Sequence, residues 1–489
     1  MTTLAEVIHW HESLRQLHAR LASHFARKEP FERALRFVQG ILSSVERKHG
    51  WQLAEQAREP TPYGMQRLLS QAIWDVEGVR DELRAFALEH LGRRDLIAAI
   101  DETGFLTRGK HSAGVSKQHD GPTGDVRHCQ TGVLVSLVSP AGHTLVDREL
   151  SLPQEWTNDP ARCRRAGIPE SRAFQTKPQL ARIMLERLEQ ARVALAWVVA
   201  DTVSGGNPDL RAWLERRRQP FVLAVPSSEP VVLELSQVGV RRLEVREIPA
   251  LLAPSDWSRL SLSQGTKGPR LFDWACVPVW HQGREDGWHS LLIRRPLDAA
   301  EDSTFSLVFA APQTTLETKV TALGARWRVE EDVENSKDMG LDQYEVRRSL
   351  GWYRHITLVM LALAFLTSLV IAAHTLPTAP VGPFPEAEGS LVPQDLSPLS
   401  VPEARRLLAR LLFPAPSSPP LVFHWSAWRR WHQRTASFFH TRRRLKAGSP
   451  GSFPGHPGPQ PPGISLGLPG ISLGIAGTHP LVFPHRFSL

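Results

Sequence analysis

Three acidic positions in this 489-residue chain stand where carboxylates could meet. Asp101 closes the apolar run LIAAI and is followed by Glu102-Thr103-Gly104, and Asp201 closes LAWVVA and is followed by Thr202-Val203-Ser204-Gly205-Gly206. Short apolar runs bounded by turn residues suit buried strands, so both carboxylates are expected at carboxyl ends of strands, where open α/β sheets place their sites. Taken singly, an Asp at a strand end serves equally well as a turn or capping residue. The third element is Arg326-Trp327-Arg328-Val329-Glu330-Glu331, with Lys337 seven positions after Glu330. At about 100° per residue a helix puts Arg326, Glu330 and Lys337 on one flank, although ordinary i,i+4 pairing produces the same spacing. Three converging carboxylates would hold hard divalent cations such as Mg2+. Two such ions roughly 3.5 to 4 Å apart serve in-line displacement at a phosphodiester.

The elements that must position these residues are legible in outline. Residues 1–92 are helical in pattern: Leu35, Val38, Leu42 and Val45 recur at helical spacing, as do Leu68, Ile73, Val76, Val79, Leu83 and Phe86. From Asp95 the runs LIAAID, QTGVLVSLVS and TLVDRELSL read as strands. A helix over about 177–192 then leads into the strand ending at Asp201, the crossover that parallel pairing requires. Strand-like runs return over about 205–312, and a helical region resumes after Pro312. The fold class is therefore α/β, with a helical N-terminal domain (1–92), a catalytic domain (93–375) carrying a β-rich insertion, and a tail (376–489).

Composition narrows the partners. Lys plus Arg exceed Asp plus Glu by 58 to 50, and the pI near 9.7 favours a polyanion. Three dispersed cysteines, Cys129, Cys163 and Cys276, exclude a disulfide framework and a CxxC zinc site and fit a reducing, cytoplasmic setting. The first residues, MTTLAEVIHWHESLRQ, do not read as a secretory signal. The apolar segment 356–374 has about the length of a membrane span of roughly 20 residues, but a buried core helix has the same composition. In 376–489, which holds 20 of the 39 prolines, most of the chain is expected to lack packed structure. One island, 424–446, carries Arg429, Arg430, Arg434, Arg442, Arg443, Arg444 and Lys446 among Trp425, Trp428 and Trp431 with no acid, a mixture suited to phosphate contact and stacking.

AIDETGF (99–105), VVADT (198–202) and RWRVEEDVENSKDMGLDQYEVRRSLGWYRHITLVMLALAFL (326–366) resemble the three catalytic blocks of DDE transposases of bacterial insertion sequences. The likeness is nearest to the insertion sequence 701 family, with a looser kinship to the insertion sequence 4 group, and extends through SSVERKHGWQLAEQ, MQRLLSQAIWDVEGVRDELR and TLVDRELSLPQEWTNDPARCRRAGIPE to cover roughly residues 25–375. It implies an RNase H-like catalytic domain in which Asp101, Asp201 and Glu330 bind two Mg2+ ions, with Mn2+ able to substitute. Asp101 would bridge both ions, and Asp201 and Glu330 would each complete one shell. It also implies double-stranded DNA as partner, namely terminal inverted repeats and target, a homodimer in the DNA complex, and a cytoplasmic, nucleoid-associated enzyme without membrane contact. The related signature Tyr-x2-Arg-x3-Glu-x6-Lys maps onto Arg326, Glu330 and Lys337, with Leu323 in the tyrosine position; Ser204 stands where an Asp-x-x-Tyr-Gly pattern has tyrosine. The N-terminal helices would bind the element ends, Arg326 and Lys337 the DNA backbone at the site, and the 424–446 island further phosphates. A different function for the same fold is DNA binding without catalysis, as in an inactive descendant of a transposase.

Overall fold

Helices open the chain because apolar residues recur there with the period of one helix face. The computed structural model describes residues 4–107, 109–119, 126–235, 239–265, 268–281, 284–299, 302–375, 398–414 and 418–447. α1 (Leu4–Arg20), α2 (Lys28–Leu42), α3 (Gly50–Gln56), α4 (Tyr63–Ser70) and α5 (Val76–Leu91) precede the first strand. The helical run expected through 68–86 is interrupted: Ile73 is 75% exposed in the loop before α5, and Asp75 caps that helix by accepting from the Glu77 and Gly78 N–H groups.

Next come β1 (Leu96–Leu106), β2 (Ser116–His119), β3 (Val126–Ser139) and β4 (Gly142–Ser151), then α6 (Gln154–Thr157), α7 (Pro160–Ala166) and α8 (Lys177–Gln190). Thr176 and Gln179 form a reciprocal capping box that starts α8, with Pro178 inside its first turn. β5 (Leu195–Ala200), α9 (Thr202–Gly205), α10 (Pro208–Arg216) and β6 (Phe221–Val225) follow. β7 (Pro230–Leu235), β8 (Gly239–Glu244), β9 (Ser258–Gly265), β10 (Gly268–His281), β11 (Arg284–Arg295) and β12 (Thr304–Phe309) supply the strand-rich stretch. Among the described residues these strands make one mixed sheet, ordered β2-β3-β1-β5-β6-β12-β11-β10-β7-β8, with β4 on β3 and β9 on β10. β1, β5 and β6 run parallel, while β3 and β12 flank them antiparallel. The strand-rich stretch thus continues the central sheet through β12 on β6, and buries Val231, Leu233, Ile248, Ala275, Leu291 and Ile293 in a core of its own.

α11 (Leu316–Gly324), α12 (Arg326–Asp338) and α13 (Ser349–Thr375) return across the sheet. α13 contains the apolar segment flagged as a possible span, and 83% of its most apolar window is buried inside the protein. It packs on β4, α2, α4, α5 and α12. Its polar N-terminal part is buried too: the Arg354 guanidinium donates to the carbonyls of Leu68, Leu69, Ala72 and Trp74, and His355 Nε2 lies 2.8 Å from the Gly340 carbonyl. Burial pushes Arg354 down to about 10 and His355 down to about 4. A helix tied on all sides to protein carbonyls and core side chains is a core helix.

Both faces of β4 are secured by charge. Asp147 and Glu149 face α8: Arg187 reaches Asp147 at 3.1 Å and also bonds Glu149, which accepts in addition from Arg172 and Tyr353 at 2.7 Å each. Arg148, fully buried on the opposite face, donates to Glu77 at 3.0 and 3.1 Å and to Thr357 at 3.0 Å. Burial alone would raise Glu149, but Arg187 and Arg172 outweigh it and hold it at about 2.

The tail departs from expectation over the part that is described. α14 (Val401–Leu411) is capped by Ser400 and packs Ala404 and Leu408 into the core beside α13, because its apolar positions fall on one face despite the surrounding prolines. Contacts divide the chain into two units, Met1–Ala415 and Pro416–Leu489. In the second, α15 (Pro419–Ala447) is one continuous helix. The expectation for 376–397 and 448–489 lies outside the described residues.

Candidate active site

Asp101 does not end its strand, as the apolar run suggested. β1 continues to Leu106 because β3 pairs with it antiparallel from Ile97↔Val138 to Leu106↔Cys129, and Asp101 stands opposite Leu134. On the other side the parallel ladder to β5 stops at Ile100↔Ala200. Asp101 and Asp201 are therefore each the next residue after the last registered pair of two adjacent strands. Neighbouring strands lie about 4.8 Å apart, so the two residues leave the ladder at neighbouring points. Asp101 flanks a gap in the sheet that opens where β5 turns away.

That turn is specified locally. Asp201 Oδ1 accepts from the Ser204 N–H at 3.2 Å, making Asp201 the N-cap of α9. Gly205 is required there: a Cβ on it would come within 2.1 Å of the Ala224 carbonyl oxygen of β6. Ser204, in the place of the family tyrosine, is 4% exposed.

Glu330 arrives from α12. Val329, Asp332, Val333 and Ser336 form the buried face of that helix, at the i, i+3, i+4, i+7 spacing. Asp332 fixes its rotation: its carboxylate, 1% exposed, accepts from Ser136 Oγ at 2.6 Å and meets His143 Nδ1 at 2.9 Å. Burial would lower His143, but the charge and hydrogen bond of Asp332 raise it above its ordinary value. Glu330, on the adjoining flank, is ion-paired to Arg326 at 2.8 Å. The Arg326 guanidinium also lies over the Trp327 ring, 4.6 Å from its centroid.

Asp101 feels the charges of the other two acids. Asp101 is pushed up to about 6, first by burial and then by the charges of Asp201 and Glu330, against the Glu102 N–H at 2.8 Å and the Arg326 charge. Asp101, Asp201, Glu330 and Arg326 thus form one electrostatic cluster. The carboxylates are not drawn into a coordination sphere: among the described residues no group of three or more His, Cys, Asp or Glu side chains encloses a space for an ion. Lys337 follows on the flank of Glu330, and its ammonium enters no ion pair among the described residues. Glu102, on the opposite face from Asp101, pairs with Lys177 at 2.6 Å and ties β1 to the start of α8.

The cations expected in the tail lie in the other unit. On α15, Trp425, Trp428 and Trp431 meet in sequence as tilted rings with centroids 5.5 and 6.4 Å apart, and Trp428 stacks on His432 at 5.1 Å. Arg430, Arg442 and Arg443 are exposed on this helix and Arg429 is half-buried, while the side chain of Arg444 lies outside the described residues.

Comparison with known proteins places the chain in a family. The family of DDE superfamily endonucleases matches residues 20–268, just over half of the chain, a span that includes Asp101 and Asp201 and ends before Glu330. A probable transposase for insertion sequence element IS701 from Microchaete diplosiphon is 23% identical over 193 residues, covering 39% of this chain. The chain spans about half, 48%, of the length of that relative. The cryo-EM structure of a piggyBac transposase synaptic complex with hairpin DNA aligns over 84% of this chain and 81% of its own, at 13% identity and a TM-score of 0.38. On the match that spans half its length, this chain belongs to the DDE superfamily endonucleases.

Proposed function

We propose that this protein is the transposase of a bacterial insertion sequence, an endonuclease that cuts the ends of its element and joins them to target DNA. One observation carries the reading: Asp101 and Asp201 follow the last registered pair of two parallel strands, and Glu330 raises the same buried carboxyl from α12. The similarity to the IS701 relative supports the substrate. The order β4-β3-β1-β5-β6, with the last three parallel, supports an RNase H-like core, and α1–α5 are the candidate end-binding domain.

The donor set fits divalent metal. Three carboxylates offer hard oxygens, and a buried Asp101 already raised by like charges is the group whose ionisation a cation would most favour. Asp101, Asp201 and Glu330 are the ligands we assign, to Mg2+ or Mn2+. Bound there, a pair of such ions would supply activation of the attacking oxygen and stabilisation of the departing one. The chain's own residues do the rest. The β1 and β5 backbones hold two of the acids in fixed register, and Asp332 holds the helix that carries the third. Arg326 and Lys337 grip phosphate oxygens of the strand beside the acids. Arg429, Arg430, Arg442, Arg443 and Arg444 of α15 add phosphate contacts of a sequence-independent kind. The protein works in the cytoplasm on the nucleoid, as a homodimer on paired double-stranded DNA ends.

The test is cleavage of a labelled duplex carrying the element's own terminal repeat by wild-type and Glu330→Ala protein in Mg2+, Mn2+ or EDTA. Metal-dependent cuts at the repeat boundary, absent from the variant, are expected. Binding without cutting under every condition would identify a catalytically inactive DNA-binding descendant instead.

A further inference from the structure

Beyond Asp101, β1 runs on toward a part of the surface that gathers cations from three separate segments. On β3, Leu134 stands opposite Asp101 and Gln130 opposite Phe105, and His128 is the next residue outward on that face. Thr107, just past β1, donates its N–H to the His128 carbonyl at 3.1 Å, and Lys117 of β2 pairs with His128 from the other side. Cross-strand partners share a face, so Lys117 lies on the same face of the sheet as Asp101. At about 3.3 Å per residue the strand covers about 20 Å from Asp101 to Thr107, the length of about six base pairs of duplex.

Printed contacts join the three segments directly. In the loop between β1 and β2, the Ala113 N–H donates to the Arg347 carbonyl at 2.8 Å. Arg347 belongs to the stretch before α13, which lies over the face of Asp101: the Tyr344 hydroxyl donates to Gln130 Oε1 at 2.8 Å, and the Trp352 ring meets Phe105 edge-on. α7 closes the other side of the loop. The Arg162 guanidinium lies 3.8 Å from the Trp156 ring centroid and donates to the Lys110 and Val115 carbonyls at 3.3 Å each. Gly167, which ends α7, stands against Arg348, since a Cβ on it would lie 3.7 Å from Arg348 Cδ.

Neither 107–117 nor 160–167 contains an acid. Arg162 and Arg164 find partners in Glu155 and Glu170, at 3.5 Å each. Lys110, Lys117, Arg165 and Arg348 are exposed and enter no ion pair among the described residues, and Arg347 beside them is exposed as well. Arg165 is three residues past Arg162 and so lies on the flank of α7 that meets the loop. Like charges gathered from three segments repel one another, and a polyanion laid across them relieves that repulsion. We infer that Lys110, Lys117, Arg165, Arg347 and Arg348 form a binding surface for the sugar-phosphate backbone of double-stranded DNA, about six base pairs from the bond that meets the acids. The inference rests on the transposase reading and adds where the duplex runs once it leaves the site. These five are binding residues; the reacting groups are elsewhere.

The experiment uses full-length protein and fluorescence anisotropy of a labelled random-sequence duplex across a salt series. Lys110→Gln with Lys117→Gln removes two charges of the surface. Arg192→Gln with Arg216→Gln is the control for net charge: both are exposed, one just after α8 and one at the end of α10. α8 lies on the opposite face of the sheet, where Lys177 holds Glu102. Loss of two phosphate contacts lowers the slope of log K against log salt by about 1.8, about a sixtyfold loss at 0.1 M relative to 1 M. The control should keep the wild-type slope. Should the lysine variant fail to fold, acetylation of wild-type protein followed by mass spectrometry reads the same contact, with duplex expected to protect Lys110 and Lys117. Wild-type slope in the lysine variant, equal slope losses in both variants, or equal acetylation with and without duplex would overturn the inference while leaving metal-dependent cutting intact. A wild-type protein that neither binds nor cuts duplex would overturn the transposase reading with it.

Discussion

Neutralising Asp101 should stabilise the metal-free protein, and the effect should depend on pH in a defined way. In the folded chain Asp101 is pushed up to about 6, against an ordinary value of 3.8, by burial and by the nearby Asp201 and Glu330. A raised carboxyl is most favourable when protonated, so its contribution is fully present below pH 3.8 and is lost as pH rises through 6. Each pKa unit corresponds to about 1.36 kcal/mol, so the 2.2-unit difference amounts to about 3 kcal/mol of strain at pH 8 as an upper bound. Asn copies the protonated form and keeps an oxygen for the Glu102 N–H. With an unfolding entropy of about 2.1 cal/mol/K per residue over the 415-residue unit, Asp101→Asn should raise the melting temperature by about 3 to 4 °C at pH 8 in EDTA. At pH 4 the two proteins should melt together. Mg2+ should close part of the pH 8 gap by stabilising only the wild type. Thermal unfolding followed by circular dichroism at the two pH values decides the matter. An Asp101→Asn protein that melts no higher than wild type at pH 8, or higher by the same amount at both pH values, would refute the electrostatic argument for a shared acidic site.

Other perturbations should act through the scaffold. Glu149→Gln should cost about 3 kcal/mol at pH 7, since it leaves Arg172 without its buried carboxylate and Arg187 with Asp147 alone. Because the folded pKa is held at about 2 against 4.5, the penalty should shrink as pH falls from 4.5 toward 2, in denaturant titrations at stepped pH. Gly205→Ala must displace either the α9 turn or the Ala224 carbonyl, at about 1 to 3 kcal/mol, and should cut strand cleavage by more than its stability loss explains because Asp201 begins that turn. Deleting 416–489 should weaken duplex binding and flatten its salt dependence while Mg2+-dependent cutting survives; unchanged salt dependence in anisotropy would remove the arginines of α15 from the DNA contact.

How much of this was legible depended on whether the signal was local. The strand before Asp201 and the turn after it were readable because an apolar run, a capping Asp and two glycines lie within a dozen residues. The place of Asp101 within its strand was not, since β1 ends at residue 100 for its parallel partner and at residue 106 for its antiparallel one, and pairing partners far along the chain set both limits. Asp332 did carry a signal: it shares a helix face with Val329 and Val333, whereas Glu330 and Glu331 do not. The three charges in the apolar strand TLVDRELSL form buried ion pairs with Glu77 of α5 and Arg187 of α8, partners that no local pattern names. α14 was hidden by the proline content around it, although its Ser cap, Pro at the first turn and one-sided leucines are helix signals in their own right.

These assignments make two classes of acid separable by sign. Asp101 is held beside Asp201 and Glu330 by structure that does not depend on its charge: the ladder of β1 on β5 ends at Ile100 and Ala200, and Asp332 fixes the helix that bears Glu330. Removing the charge of Asp101 should therefore raise stability and abolish cutting, the opposition expected where function draws on stability. Asp332 and Glu149 are held by donors that need them, so removing either should lower stability and lower cutting only as far as the cluster is displaced. A set of single neutralisations, scored on both axes, therefore sorts the reacting acids from the supporting ones without reference to any motif. Glu330 is the decisive member, since Arg326 offsets its charge at 2.8 Å: its neutralisation should leave stability nearly unchanged while removing cutting, a third combination that neither class produces.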